Sequence, residues 1–242
     1  VVVFLEEEGP AVPGKSIMKQ ASQLFNDEQR KQIDQAVAEA EGKTSAEILP
    51  VVATSSGRYD RPEDIAGLWL AMIAVVSVLQ LPTAQIESGS WGGQAGWVQP
   101  LIVVVVGVVG FFVGAVIAAR VAWLRRLFTP KQQMRDEVAA RSRTVFFDGR
   151  VHHTAGRTGL LVYVSLFERI AVVLADQSVL EKLGQESLDT LCESLTFGLR
   201  EGHPTEAICQ TIAAAGERLA PLLPRSDDDI NELPDALIVL DD

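Results

Sequence analysis

The side chains in this sequence most able to do chemistry are a few carboxylates, one guanidinium and a histidine pair. Glu168 and Arg169 lie between two apolar runs and Asp176 follows the second run, so a sheet end could present each of them to a ligand. Strand ends host sites, although charged residues at turns often serve only to keep a connection solvated. A second group, Asp227, Asp228 and Asp229 with Asn231 and Glu232, supplies the oxygen donors that calcium takes. It lacks the alternating acidic spacing with a following glycine that a dedicated calcium loop uses. His152 and His153 are adjacent. Neighbours face opposite sides of a strand and diverge by about 100° on a helix, so the pair does not chelate one ion and reads as a turn between helix and strand. No Gly-x-Ser-x-Gly elbow, P-loop, dinucleotide fingerprint or zinc spacing is present, and no cofactor is expected beyond the calcium candidate.

The elements that must position these groups can be read in chain order. Asn26 is a helix N-cap and Gln29, three residues on, completes a capping-box pattern. Ile33, Val37 and Ala40 follow at helical spacing, and Gly42 ends the helix. Residues 45–54 are rich in branched side chains and predict a strand. Pro50 cannot donate to a ladder, which predicts an edge strand or a bulge. Thr129-Pro130 opens a helix that runs to Phe147, with Asp148-Gly149 as its stop. Residues 160–166 and 169–175 predict a hairpin of adjacent strands. Both are almost continuously apolar, so helices should cover both faces of the sheet. Two amphipathic helices follow, about residues 185–200 and from Pro204 onward, jointed at Gly202.

Between the two halves of this pattern lies a membrane hairpin. Residues 65–81 carry no charge, and residues 98–119, opened by Pro100, are predominantly apolar and contain no ionisable group; a span needs ~20 such residues, with ~17 as the lower limit. The connecting loop, residues 82–97, has Glu87 as its sole charge, whereas Arg58 and Arg61 precede the first span and Arg120, Arg125, Arg126, Lys131 and Arg135 follow the second. Lys and Arg accumulate on the cytoplasmic side, so both termini are expected in the cytoplasm and the loop outside. Trp69, Trp91, Trp97 and Trp123 fall where interfacial anchors belong. Gly107, Gly110 and Gly114 form a small-residue stripe that lets helix backbones approach, packing the hairpin on itself or on a second copy. Neither span contains an ionisable group to mark an ion pathway, which argues against a transporter.

The chain of 242 residues carries a formal net charge of -11, which argues against a nucleic-acid surface because phosphate binding needs clustered cations. The cations that do cluster flank the hairpin and suit anionic lipid headgroups. Cys192 and Cys209 fall on apolar helix faces and do not make a disulfide framework. The opening Val-Val-Val-Phe-Leu is too short for the apolar region of a signal peptide and runs into Glu6-Glu7-Glu8. Residues 1–17 are therefore expected as a loosely held extension.

The order of elements, with the strand Ser-Ala-Glu-Ile-Leu-Pro-Val-Val, the hairpin Thr-Gly-Leu-Leu-Val-Tyr-Val-Ser-Leu-Phe-Glu-Arg and then Ala-Val-Val-Leu-Ala-Asp and paired helices, resembles the TPM domain family over roughly residues 25–62 and 146–235. That family includes thylakoid acid-phosphatase and photosystem II repair members and bacterial membrane-anchored members. The resemblance implies an α/β fold, a TPM-like sheet flanked by helices on both faces. Here it would be interrupted by a two-helix transmembrane hairpin and so built from residues 18–62 and 129–242 on either side of residues 63–128. The family's glycine-rich turn is replaced by Ala175-Asp176-Gln177. An anchored domain with helix-packing glycines and no assembled catalytic constellation is expected to act as a scaffold or accessory subunit of a membrane complex in a bacterial inner membrane; the alternative that the resemblance implies is a tethered acid phosphatase using Asp176 and Glu168 around a divalent ion. The partners expected are the lipid bilayer and other membrane proteins or a second copy.

Overall fold

In a computed structural model, residues 5–6, 20–59, 61–80, 97–120, 126, 129–154, 156–225 and 231–241 are described. The chain is α/β and divides into two compact units. One comprises residues 1–12, 19–58 and 131–242, and the other residues 13–18 and 59–130.

The first unit is built on a mixed sheet of five strands: β1 (Leu5–Glu6), β2 (Glu47–Ala53), β3 (Gly159–Ser165), β4 (Ile170–Ala175) and β5 (Ile238–Leu240), in the order β1-β4-β3-β2-β5. β3 pairs antiparallel to β4 and parallel to β2, and β5 lies parallel to β2 on its other side. Strands buried on both faces explain the unbroken apolar runs. Ile48, Val52, Leu160, Val162, Val164, Ala171 and Val173 alternate onto one face. There they pack with α1 (Asp27–Glu41) and with the two later amphipathic helices, here numbered α6 (Gln185–Arg200) and α7 (Pro204–Leu219). Leu161, Tyr163, Val172 and Leu174 alternate onto the opposite face and are also buried. Helix α4 (Lys131–Asp148) packs on β3 and β4 through its buried stripe Met134, Val138, Ser142 and Phe146.

The capping box at Asn26 is present in both directions, with Gln29 N–H donating to Asn26 Oδ1 at 2.7 Å and Asn26 N–H donating to Gln29 Oε1 at 2.9 Å. Pro50 does not place β2 at an edge, because β5 covers Val51 to Ala53. Along the outer side of β2, Ile48 N–H donates instead to the Glu41 carboxyl at 2.8 Å, and Thr54 N–H donates to Leu240 O at 2.8 Å. Amides alternate sides along a strand, so Pro50 sits where β5 has not yet begun and a missing donor costs no ladder bond. A short helix, α5 (Gln177–Leu183), for which the sequence pattern gives no element, follows β4. Of the N-terminal extension, Leu5 and Glu6 pair antiparallel with Ala171 and Ile170, and the remainder up to residue 19 lies outside the described residues.

In the second unit, α2 (Arg61–Gln80) and α3 (Val98–Arg120) pack against each other. The contacts pair Gly67 with Gly114, Ala71 with Gly110 and Val75 with Gly107, so the two helices run antiparallel. Among the described residues, one helix is long and apolar enough to cross a membrane, α3 over Gln99–Ala118; α2 holds a shorter apolar stretch, Asp64–Gln80.

Candidate functional site

Glu168 is fully buried in the turn between β3 and β4. A buried carboxylate is stable only where hydrogen bonds replace its hydration, and the donors come from two distant stretches. Ser56 N–H and Gly57 N–H donate to Oε1 at 2.9 and 3.3 Å, the Ser55 hydroxyl approaches the same oxygen at 3.5 Å, and the Ser165 hydroxyl donates to Oε2. Ser56 Oγ in turn donates to Ser165 Oγ at 2.8 Å and lies 2.9 Å from the Tyr163 hydroxyl, and burial pushes the phenol up to about 12. Both oxygens of Glu168 are thus engaged by the protein. The arrangement clips residues 55–57, which lead out of β2, onto the far end of the sheet. Ser165 and Tyr163, two residues apart on β3, occupy the face turned away from α6 and α7.

On the α6 face of the same sheet end, a cavity of about 460 Å³ is lined by Leu24, Val164, Leu166, Ile170 and Leu199, with Arg169 and Arg200 as its charged groups. Arg169 closes the β-turn with φ 56, a left-handed conformation that costs a non-glycine residue ~1–2 kcal/mol. Gly202, at φ 84, makes the joint between α6 and α7 and lines the same cavity.

The other candidates are dispersed. Asp176 stands at the opposite end of β4 from Glu168; six strand residues at ~3.4 Å each put about 20 Å between the two ends, so the two carboxylates do not meet around one divalent ion. Asp176 caps α5, its Oδ1 accepting from Gln177 N–H at 2.6 Å, while its second oxygen is buried with no hydrogen-bond partner among the described residues. His152 lies in a 3-10 turn, Val151–His153, with its ring 4.8 Å from that of Phe147, an aromatic packing role. Asp227, Asp228 and Asp229 lie outside the described residues. Glu232 belongs to a C-terminal arm held by acceptors elsewhere: Glu232 and Leu233 N–H each donate to the Glu47 carboxylate at 3.3 Å, and Leu237 N–H donates to Asp34 at 2.9 Å. Among the described residues, no three His, Cys, Asp or Glu side chains are grouped to hold a metal ion.

Beside that arm, burial pushes the Glu41 carboxyl up to about 9. The Ile48 N–H opposes the shift, and the nearby carboxylates Glu47 and Asp235 add to it. Asp241 accepts from Ser22 N–H at 3.1 Å and Thr54 Oγ1 at 2.8 Å, and hydrogen bonds from the Ser22 side chain, the Thr54 side chain and the Ser22 amide hold its carboxyl below the usual range. Composition and local pattern did not reveal Glu41, Glu47, Asp34 or Asp241 as clips, since each reaches a partner far away in sequence or just outside its own helix. Neither cysteine forms a disulfide; Cys192 is buried with its thiol pushed up to about 12 by that burial, and Cys209 is half-buried.

In the helix pair, Gly107, Gly110 and Gly114 of α3 all face α2. A Cβ added at Gly114 would meet Gly67 Cα at 2.8 Å, and one at Gly110 would meet Ala71 Cα at 3.1 Å. The outward side chains are apolar and exposed, Leu68 and Ile73 on α2 and Val104, Val109 and Phe112 on α3 among them. Trp69 and Trp97 are likewise exposed, and Trp91 and Trp123 lie outside the described residues.

The first unit is therefore an α/β sheet domain whose one end combines a buried carboxylate clip with a cation-lined apolar cavity. Neither a protein-family model nor a curated protein matches the chain. Among solved structures, the chain is similar to the NMR structure of the BA42 protein from the psychrophilic bacterium Bizionia argentinensis. The match has a TM-score of 0.52 and 18% identity, and covers 88% of this chain and 94% of the other. At that identity the likeness concerns the fold alone.

Proposed function

We propose that this is a membrane-tethered accessory protein, with α2 and α3 crossing a bacterial inner membrane as a hairpin. The sheet domain, of TPM type, acts as a scaffold or accessory subunit of a membrane protein complex. The observation that carries this reading is the surface of the helix pair. Only 17% of the apolar stretch of α3 is buried, where the core helix of a water-soluble protein would be mostly enclosed. Continuous exposed apolar surface of that extent marks a membrane or protein contact. Lipid explains the all-round exposure together with the glycine seam, because helix association in a bilayer depends on close backbone packing.

The stretch Asp64–Gln80 of α2 has 17 residues and spans about 25 Å, short of the ~30 Å hydrocarbon core. Local thinning of the bilayer accommodates such a mismatch at modest cost. The antiparallel arrangement brings the start of α2 and the end of α3, with Arg120, to the same end, which is the cytoplasmic one by the positive-inside rule. Both halves of the sheet domain then fold on one side of the membrane, because closing a long insertion costs only logarithmically with its length.

Extraction in a mild detergent after brief in-cell cross-linking, followed by identification of co-purifying membrane proteins, tests this. Reproducible recovery with a defined set of partners is expected. Recovery as a lone monomer after cross-linking contradicts it.

A further inference from the structure

The last turns of α4 and the loop after it carry cations that neither the sheet nor the Glu168 clip uses. In a chain with 32 acidic and 21 basic residues, residues 141–158 reverse the balance, with four arginines and Asp148 as the one carboxylate. Arg143, Arg150 and Arg157 are exposed, and among the described residues their guanidinium groups make no hydrogen bond or ion pair. Arg143 and Phe147 stand about one helical turn apart on the outer face of α4. Phe147 is 57% exposed, and its ring rests edge-on against that of His152, 4.8 Å away.

The loop turns its arginines back beside this helix end. Arg150 N–H donates to Phe147 O at 3.1 Å. Gly159, where β3 begins, lies so close to the Val151 carbonyl that no Cβ fits there, and Arg157 precedes that contact by two residues. Arg150 and Arg157 hold φ of 55 and 51, a conformation that glycine adopts freely and a residue with a side chain only at a cost. Strain kept at exposed arginines points to a use for their side chains.

Unpaired guanidinium groups beside an exposed aromatic ring select the chemistry of an occupant. Arginine pairs with carboxylates through two parallel hydrogen bonds. Where proteins meet, arginine and aromatic residues are enriched and lysine is depleted, and residues 141–158 contain no lysine. An anionic lipid surface or a phosphate backbone takes lysine as well as arginine.

We propose that Arg143, Phe147, Arg150 and Arg157 form a docking surface for an acidic segment of a partner protein, with its carboxylates on the guanidinium groups and an apolar side chain on the Phe147 ring. This rests on the accessory reading and names where the partner is held. If cross-linking of the whole protein recovers membrane partners but position 147 contacts none of them, the docking surface fails and the accessory role stands.

The test is photo-cross-linking in cells from the full chain with p-benzoylphenylalanine in place of Phe147, and with the same replacement of exposed Phe197 as the reference. An adduct specific to position 147 is expected, on a segment of one partner that carries several Asp or Glu residues. Replacing Arg150 and Arg157 together with glycine removes two cations and suits the backbone at both positions. This double variant should lower the adduct yield at least about tenfold, with the unfolding midpoint in detergent unchanged or raised. A chain carrying Arg143→Glu, Arg150→Glu and Arg157→Glu should lose the adduct and regain it when the acidic residues of the cross-linked segment are changed to lysine. The proposal is overturned by the absence of an adduct specific to position 147, or by an adduct on lipid, nucleic acid, a second copy of this chain or a segment without carboxylates. It is equally overturned by a yield indifferent to the arginine substitutions, or by failure of the charge exchange to restore the adduct.

Discussion

Replacing the helix-facing glycines one at a time with alanine should give a graded series set by the space each Cβ finds. At Gly114 the new Cβ would lie 2.8 Å from Gly67 Cα and 3.0 Å from Ala66 O; at Gly67 it would lie 2.8 Å from Phe111 O. Ordinary carbon contacts are ~3.5–4.0 Å, so at Gly114 the helices must separate locally by about 0.7–1.2 Å. These neighbours are backbone, which cannot rotate away. Gly110 is easier, with 3.1 Å to Ala71 Cα, and Gly107 easier still, with only Val75 Cγ2 at 3.3 Å, a side-chain methyl that can yield. Alanine also gains about 1 kcal/mol of helix propensity over glycine, but that gain is common to all four sites and cancels when they are compared. Overpacking costs ~1–3 kcal/mol, so Gly114→Ala and Gly67→Ala should fall below Gly107→Ala by about that much, with Gly110→Ala between. Titration with SDS in mixed micelles, read by energy transfer between labels at Leu79 and Leu101, measures the pairing. Equal losses at all four positions, or the largest loss at Gly107, would refute the packing argument.

Other consequences concern the sheet domain. Glu168→Ala leaves the Ser56 and Gly57 amides and the Ser165 hydroxyl without their acceptor; each buried donor left unsatisfied costs ~1–3 kcal/mol, so a loss of at least about 3 kcal/mol is expected in urea unfolding, and a smaller one for Glu168→Gln, whose amide oxygen still accepts. The Glu41 carboxyl, raised from 4.5 to about 9, keeps a proton in the native state that the unfolded chain releases. Its contribution therefore makes stability fall as pH rises between those two values. Glu41→Gln should remove that slope, being more stable than the parent at pH 8 and converging with it near pH 5; an unchanged difference across that range would show that Glu41 does not titrate there. Cys192, with its thiol pushed up to about 12 and no exposed surface, should react with a thiol reagent only on unfolding. Prompt labelling of the native protein in a Cys209→Ser background would contradict the packing of α6 on β4.

Local signals in the sequence were sufficient where one stretch of chain determines the outcome. The Asn26–Gln29 box, the β3–β4 pair and the joint at Gly202 each depend on residues within a few positions of one another. Pro50 was legible only as a missing donor; that β5 begins one residue later is set by a segment nearly two hundred residues away. α5 was hidden because seven residues beginning after Asp176 carry too short an apolar pattern to separate helix from turn. The partners of Glu168 were out of reach for the same reason as those of Pro50, since Ser56 is 112 positions distant. A charged pair at a turn reads as solvated, and only the fold shows that Glu168 points inward while Arg169 points out. The cavity needed the tertiary structure too, because Leu24, Arg169 and Arg200 come from three separate parts of the chain.

The central claim is that the α2–α3 pair lies in lipid with both flanks on the cytoplasmic side, and vesicle sidedness tests it most directly. Single cysteines at Gln20, Ser88 and Gln132, in a background with Cys209 replaced and Cys192 buried, are probed with a membrane-impermeant maleimide in right-side-out and inverted inner-membrane vesicles. Labelling at positions 20 and 132 only in inverted vesicles, and at position 88 only in right-side-out vesicles, is the expected result. Labelling of positions 20 and 132 from opposite faces, or release of the whole chain from the vesicles by alkaline carbonate, would contradict it.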